Sequence, residues 1–110
     1  MKEVKRPWGL FKQFILNKKC TVKVLELAPR QELSLQVHKK RDELWYFFDN
    51  AIVQLGKKRI SVREGDLIKV KKKTPHRIIS SKKKARVLEI SLGTFDEKDE
   101  VRLEDKYGRK

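Results

Sequence analysis

Gln36 and His38 lie two residues apart, Glu43 follows shortly after, and His76 comes later in the chain. These are the only two histidines present. Alternate residues on a strand share a face, so Gln36 and His38 are expected to point the same way. Leu33, Leu35 and Val37 take the opposite parity and supply an apolar layer. A carboxylate at Glu43, just across a tight turn, can enter the same space from the next strand. His76 opens a later strand directly after Thr74 and Pro75. Two neutral imidazoles, an amide oxygen and a carboxylate form a mixed nitrogen and oxygen donor set. Such a set suits zinc, iron, manganese, nickel or cobalt, with positions left open for water or substrate. A histidine on a strand also serves as a hydrogen-bonded structural residue, and the spacing alone leaves both readings open.

The elements that must position these residues read as strands, because the dominant period is two. Residues 20–28, 32–38 and 43–48 are expected strands, the last dense in aromatics with both faces buried. Residues 52–55 and 59–62 flank a Gly-Lys-Lys turn and read as a hairpin. Further strands are expected over 67–70, 76–80 and 85–92. Only the tail, "DEKDEVRLEDKYGRK", has room for a short helix. Eight or so short strands at regular spacing imply an antiparallel sandwich or barrel. Trp8 and Trp45 read as core or cavity-wall aromatics, and the "RPWG" segment as an edge strand or clasp.

The 110 residues suffice for one domain with a two-layer core, so residues 1–110 are read as a single domain. Lys and Arg number 29 against 15 Asp and Glu, a formal net charge of +14. That excess suits an anionic partner such as a phosphorylated small molecule, a nucleic acid or a membrane surface. Abundant Lys and Glu with one Cys and one Met is equally the bias of heat-adapted proteins. The lysine runs at 57–58, 71–73 and 82–84 fall in expected turns and do not interleave with aromatics. This disfavours nucleic-acid binding. The lone Cys20 excludes an intramolecular disulfide and a cysteine metal cluster. No apolar run has the length of a signal peptide core or a membrane span, so a soluble cytoplasmic protein is expected. The aromatic density of "WYFF" suggests a homodimer.

Gln36, His38, Glu43, Gly65 and His76 have a spacing that resembles the two motifs of the cupin superfamily. The closer resemblance is to the cupin domain of type II mannose-6-phosphate isomerases, a domain often fused behind a mannose-1-phosphate guanylyltransferase. It covers nearly the whole chain through "RPWG" (6–9), "LSLQVH" (33–38), "ELW" (43–45), "VREGD" (62–66), "TPHRI" (74–78) and "DEVRLEDKYGR" (99–109). The resemblance implies a cupin-type jelly-roll β-barrel of antiparallel strands with a short C-terminal tail or helix. It implies a divalent transition metal held by Gln36, His38, Glu43 and His76, and a phosphorylated sugar as substrate. No nucleotidyltransferase region precedes the resembling segment, so the isomerase half is the activity it implies.

That activity, the exchange of mannose 6-phosphate and fructose 6-phosphate, moves a proton between C1 and C2. Lys40 is a candidate base if the strand continues straight past His38. Arg41 matches an arginine that follows the family's histidine run and is a candidate for the phosphate or the enediolate. Arg109 is a second candidate phosphate ligand, since a guanidinium fork suits phosphate. The chain departs from the family pattern at several positions. Lys39 and Lys40 stand where a run of histidines is usual, and Leu44 stands where a histidine follows the glutamate. Glycines are expected near Arg30 and Asn50, and a proline and a glycine near Lys71 and Lys73. A metal- and sugar-phosphate-binding module without turnover, partnering a separate guanylyltransferase, is the alternative reading that these changes motivate.

Overall fold

The computed structural model describes residues 1–109 and is all-β. An N-terminal hairpin, β1 (Lys2–Arg6) and β2 (Gly9–Gln13), pairs with itself alone. One four-stranded sheet runs in the order β3 (Cys20–Leu27), β10 (Ala85–Leu92), β5 (Glu43–Phe47), β8 (Leu67–Val70). A five-stranded sheet runs β11 (Val101–Glu104), β4 (Leu35–Val37), β9 (His76–Ile79), β6 (Ala51–Leu55), β7 (Lys58–Val62). Every pairing is antiparallel. Sequence neighbours β3 and β4 fall in different sheets, as do β5 and β6, and this crossing between layers is what wraps the chain into a jelly roll.

The core is built by period-two alternation. Trp45 and Phe47 on β5 face inward with no exposure and meet Val53, Ile78 and Val87, also fully buried. Their intervening neighbours Leu44 and Tyr46 are half-buried, so β5 has one fully buried face where two were expected. Trp45 and Phe47 pack edge to face at 6.4 Å between ring centres, a geometry aromatic rings favour.

Four expectations need correction. The tail, expected as a short tail or helix, forms strand β11, and no helix occurs among the described residues. Alternation of Val101 and Leu103 with Arg102 and Glu104 suits an edge strand, and β11 pairs with β4. The strand through His38 is shorter than expected: β4 ends at Val37. The N-terminal segment is a hairpin, with Pro7 and Trp8 in its turn. Trp8 is 72% exposed and lines neither the core nor the cavity.

Two departures from the family pattern leave a mark on the backbone. Arg30 and Lys73 both take positive φ, +58° and +66°. This is the left-handed region that glycine enters at no steric cost. Each of these turns is therefore formed by a residue with a side chain. Each is held by a backbone hydrogen bond, from Arg30 N–H to Ser81 O at 2.7 Å and from Lys73 N–H to His38 O at 2.6 Å. The second ties the turn before β9 to the segment that carries the first histidine. Cys20 is half-buried at the start of β3. Among the described residues no helix is long and apolar enough to cross a membrane.

Candidate metal centre

Glu43 opens β5 in one sheet, while His38 follows β4 and His76 opens β9 in the other. The three side chains meet between the layers, each at most 2% exposed. Glu43 Oε1 lies 3.3 Å from His38 Nε2 and 3.4 Å from His76 Nε2. The three ligand atoms all fall within 4.8 Å of one another. The imidazoles are tilted together at 4.8 Å between centres, and Trp45 packs edge-on against His76 at 5.4 Å.

The hydrogen bonds behind the rings decide which nitrogen faces the centre. His38 Nδ1–H donates to the Asp99 carbonyl at 2.6 Å, and His76 Nδ1–H donates to the Thr74 carbonyl at 2.8 Å. A carbonyl can only accept, so in each neutral ring Nδ1 carries the proton and Nε2 presents a lone pair. Arg41 Nη2–H donates to His38 Nε2 at 3.2 Å, which is consistent with that tautomer. Glu43 is oriented by Ser91, whose hydroxyl donates to Oε2 at 2.9 Å. Two Nε2 lone pairs and Oε1 therefore converge with no proton assigned between them. Glu43 Oε1 and His76 Nε2 are buried without a hydrogen-bond partner among the described residues.

Buried acceptors facing each other repel unless a cation lies among them. A proton or a metal ion would serve. Ligand atoms held about 2.1 Å from one ion lie roughly 3.0–3.5 Å apart, and the two contacts of Glu43 Oε1 match that spacing. Backbone carbonyls behind the imidazoles and a hydroxyl behind the carboxylate are the outer partners that metal ligands commonly have. The donor set thus fits a divalent transition metal.

The charges follow from the same contacts. Burial pushes the Glu43 carboxyl up, but the two imidazoles and Ser91 outweigh it and hold the group far below the usual carboxylate range. Burial pulls His38 down, yet the Glu43 carboxylate and the Asp99 carbonyl outweigh it and leave the imidazole raised. Burial also pushes Asp99 up, but the backbone N–H groups of Lys39 and Lys40, which donate to its carboxylate at 2.9 and 3.0 Å, leave it lowered. That clasp closes the loop after β4 over His38.

The centre opens into a cavity of about 560 Å³. Gln36 lines it and lies directly opposite His76 in the β4–β9 register, hence on the same face. Its Oε1 accepts from Ser34 Oγ at 3.4 Å. Arg41 is buried against the centre: Nε is 3.6 Å from Glu43 Oε2, Nη1 donates to the Asp96 carbonyl, and the guanidinium covers the Phe95 ring at 4.6 Å. Arg109 lines the same cavity, but its guanidinium is engaged by Asp105 through two contacts of 3.0 Å. The condition attached to Lys40 is not met. The strand stops before it, its side chain is exposed, and it is not among the residues lining the cavity.

Several residues of the centre were not foreseen: Ser91, Asp99, Phe95 and Glu89, which also lines the cavity. On β10 the apolar Leu88, Ile90 and Leu92 suggest that their parity faces inward. The interior is in fact met by the other parity, Val87, Glu89 and Ser91, because β10 is a central strand of its sheet and both its faces are covered to some degree. Periodicity is uninformative for such a strand.

Residues 1–105 match the family described as "Mannose-6-phosphate isomerase C-terminal". The chain is 31% identical over 111 residues to the xanthan biosynthesis protein XanB of Xanthomonas campestris pv. campestris, covering 98% of this chain and 24% of that protein. It is 29% identical over 117 residues to the mannose-1-phosphate guanylyltransferase ManC of Salmonella typhimurium, covering 98% of this chain and 23% of that protein. The chain thus spans about a quarter of the length of these relatives. Among solved structures, oxalate decarboxylase from Bacillus subtilis superposes with a TM-score of 0.71 at 25% identity, over 78% of this chain and 24% of that one. The architecture is a cupin-type jelly roll.

Proposed function

The chain belongs to the mannose-6-phosphate isomerase C-terminal family, and on that premise we propose that it is a metal-dependent sugar-phosphate isomerase that interconverts mannose 6-phosphate and fructose 6-phosphate. The observation that carries this reading is the convergence of His38 Nε2, His76 Nε2 and Glu43 Oε1 at the wall of a polar cavity. Gln36, His38, Glu43 and His76 are the residues that would hold the metal. A bound divalent ion would polarise the sugar carbonyl and so acidify the adjacent C–H bond.

The chain's own residues supply the rest. Arg41, buried beside Glu43, presents a fixed positive charge where negative charge builds on the sugar oxygens. Phe95 holds its guanidinium from the other side. Arg109 stands at the cavity wall, and a phosphate would compete with Asp105 for its fork. The test is a coupled assay: protein loaded with manganese or zinc is expected to convert mannose 6-phosphate to fructose 6-phosphate. Metal-loaded protein that leaves the sugar unchanged would refute the reading.

A binding module without turnover is the second reading. It is favoured by one contact, the Arg41 guanidinium resting on the His38 nitrogen that a metal would need. Exchange of the C2 hydrogen with solvent deuterium separates the two, since only an isomerase performs it.

A further inference from the structure

The reaction needs a group that carries a proton between two carbons, and the exposed Lys40 is not placed to do so. One buried titratable side chain lines the cavity and has no part in holding the centre. Glu89 is 8% exposed, sits on β10 and lines the same space as Gln36, His38 and Glu43. Its strand pairs with β5 so that Glu89 faces Trp45 and Ser91 faces Glu43. The two glutamates are therefore diagonal neighbours on one face of the sheet, a relation that sets residues roughly 7–8 Å apart. A sugar whose first two oxygens were held near Glu43 would have its C1 and C2 within reach of both carboxylates.

The environment of Glu89 is that of a working group rather than a structural one. Trp45 Nε1–H donates to Oε2 at 3.1 Å and fixes the carboxyl plane. Lys23, its cross-strand neighbour, places its ammonium over the Phe95 ring at 4.2 Å. Among the described residues Glu89 forms no salt bridge. The charges of Lys23 and Arg41 reach it only at longer range, and buried carboxyls without a direct ion pair concentrate at reactive sites.

We propose that Glu89 is the acid–base residue of this site, carrying the proton between C2 and C1 of the sugar. The assignment rests on the isomerase reading given above. The carboxylate takes the proton from C2 of the aldose. The C–H electron pair becomes the C1–C2 double bond, and the carbonyl pair moves to O1. The carboxylic acid then returns its proton to C1 as the O2 pair re-forms a carbonyl at C2, and the O2 hydroxyl proton passes to O1. Nothing is oxidised or reduced overall. Burial first, and then the nearby Glu43 charge, push the Glu89 carboxyl up, in the direction that suits a group that both accepts and returns a proton near neutrality.

The test uses the full chain loaded with manganese, in deuterium oxide, with mannose 6-phosphate. Glu89→Gln is expected to lower both isomerisation and deuterium incorporation at C2 by about 100-fold or more. Its manganese content and its calorimetric affinity for mannose 6-phosphate should stay near wild type. Glu89→Asp, with the carboxyl withdrawn by about one bond length, should recover part of the exchange. Glu89→Gln that exchanges hydrogen at the wild-type rate overturns the assignment alone. So does a Gln variant that loses metal and sugar binding together with activity. A wild-type protein that exchanges no hydrogen overturns the isomerase reading and this assignment with it.

Discussion

Ser91 stands directly opposite Glu43 in the β10–β5 register, and its hydroxyl donates to Glu43 Oε2 at 2.9 Å. That bond leaves Oε1 as the oxygen that faces the imidazoles. Ser91→Ala should leave the fold intact but let the carboxylate rotate. Metal affinity is expected to fall about 10–100-fold, as for other outer partners of metal ligands. Competition against a chelating dye measures it.

His38→Ala, His76→Ala and Glu43→Ala each remove one converging acceptor. Each should reduce bound metal to background in metal analysis of the purified protein. The wild type should gain thermal stability on metal addition, about 2.7 kcal/mol when the free ion is at 100 times its dissociation constant. The three variants should lose that gain. Unchanged metal content in His38→Ala would reject the ligand set.

Glu89 makes native stability depend on pH in metal-free protein. Its folded-state carboxyl is raised above the ordinary 4.5. Well below that value both folded and unfolded chains hold the proton, and nothing is lost. As pH rises past it the unfolded chain releases the proton while the folded chain keeps it, so the native state loses stability until the folded carboxyl also ionises. Glu89→Gln lacks this loss. Thermal melts in chelator should show the variant gaining on wild type as pH rises past the ordinary carboxyl value, with no such gain below it. A gap that shrinks with rising pH would contradict the raised carboxyl.

The β architecture was legible because alternation is strong where one face meets water. Leu67–Val70 and Ala85–Leu92 begin and end where the period-two pattern ends. The tail was misread because β11 is an edge strand whose charged residues mimic a helix surface. Within the site, spacing and resemblance brought His38, Glu43 and His76 to one point. Spacing could not place Lys40, because whether a strand continues past His38 depends on the clasp that Asp99 makes with the next two backbone N–H groups. Nor could it find Ser91 or Glu89, whose roles arise from register across two strands rather than from position along one.

Lys73 holds a left-handed turn that a glycine would hold without strain. Lys73→Gly should stabilise the protein by up to about 1 kcal/mol, since the strain relieved exceeds the added freedom of the unfolded chain. Arg30→Gly should act the same way. Denaturant midpoints measure both. A loss of stability would show that the Lys73 side chain contributes more than its backbone costs.

Lys40→Ala should leave isomerisation within about twofold of wild type, as for a solvated surface residue. A fall of about 100-fold, the size of a general-base contribution, would return Lys40 to the reaction.

Both imidazoles are steered by main-chain oxygens, those of Asp99 and Thr74. A main-chain oxygen is present whatever the residue type. Apart from Asp99, whose carboxylate clasps the loop, the identity of the residues carrying the anchors does not set the ring orientation. Lysines at positions 39 and 40 are compatible with this anchoring, since the ring beside them is held by a main-chain oxygen. The orientation of both rings therefore follows from the path of the loops, which the Asp99 clasp and the Lys73 turn hold in place.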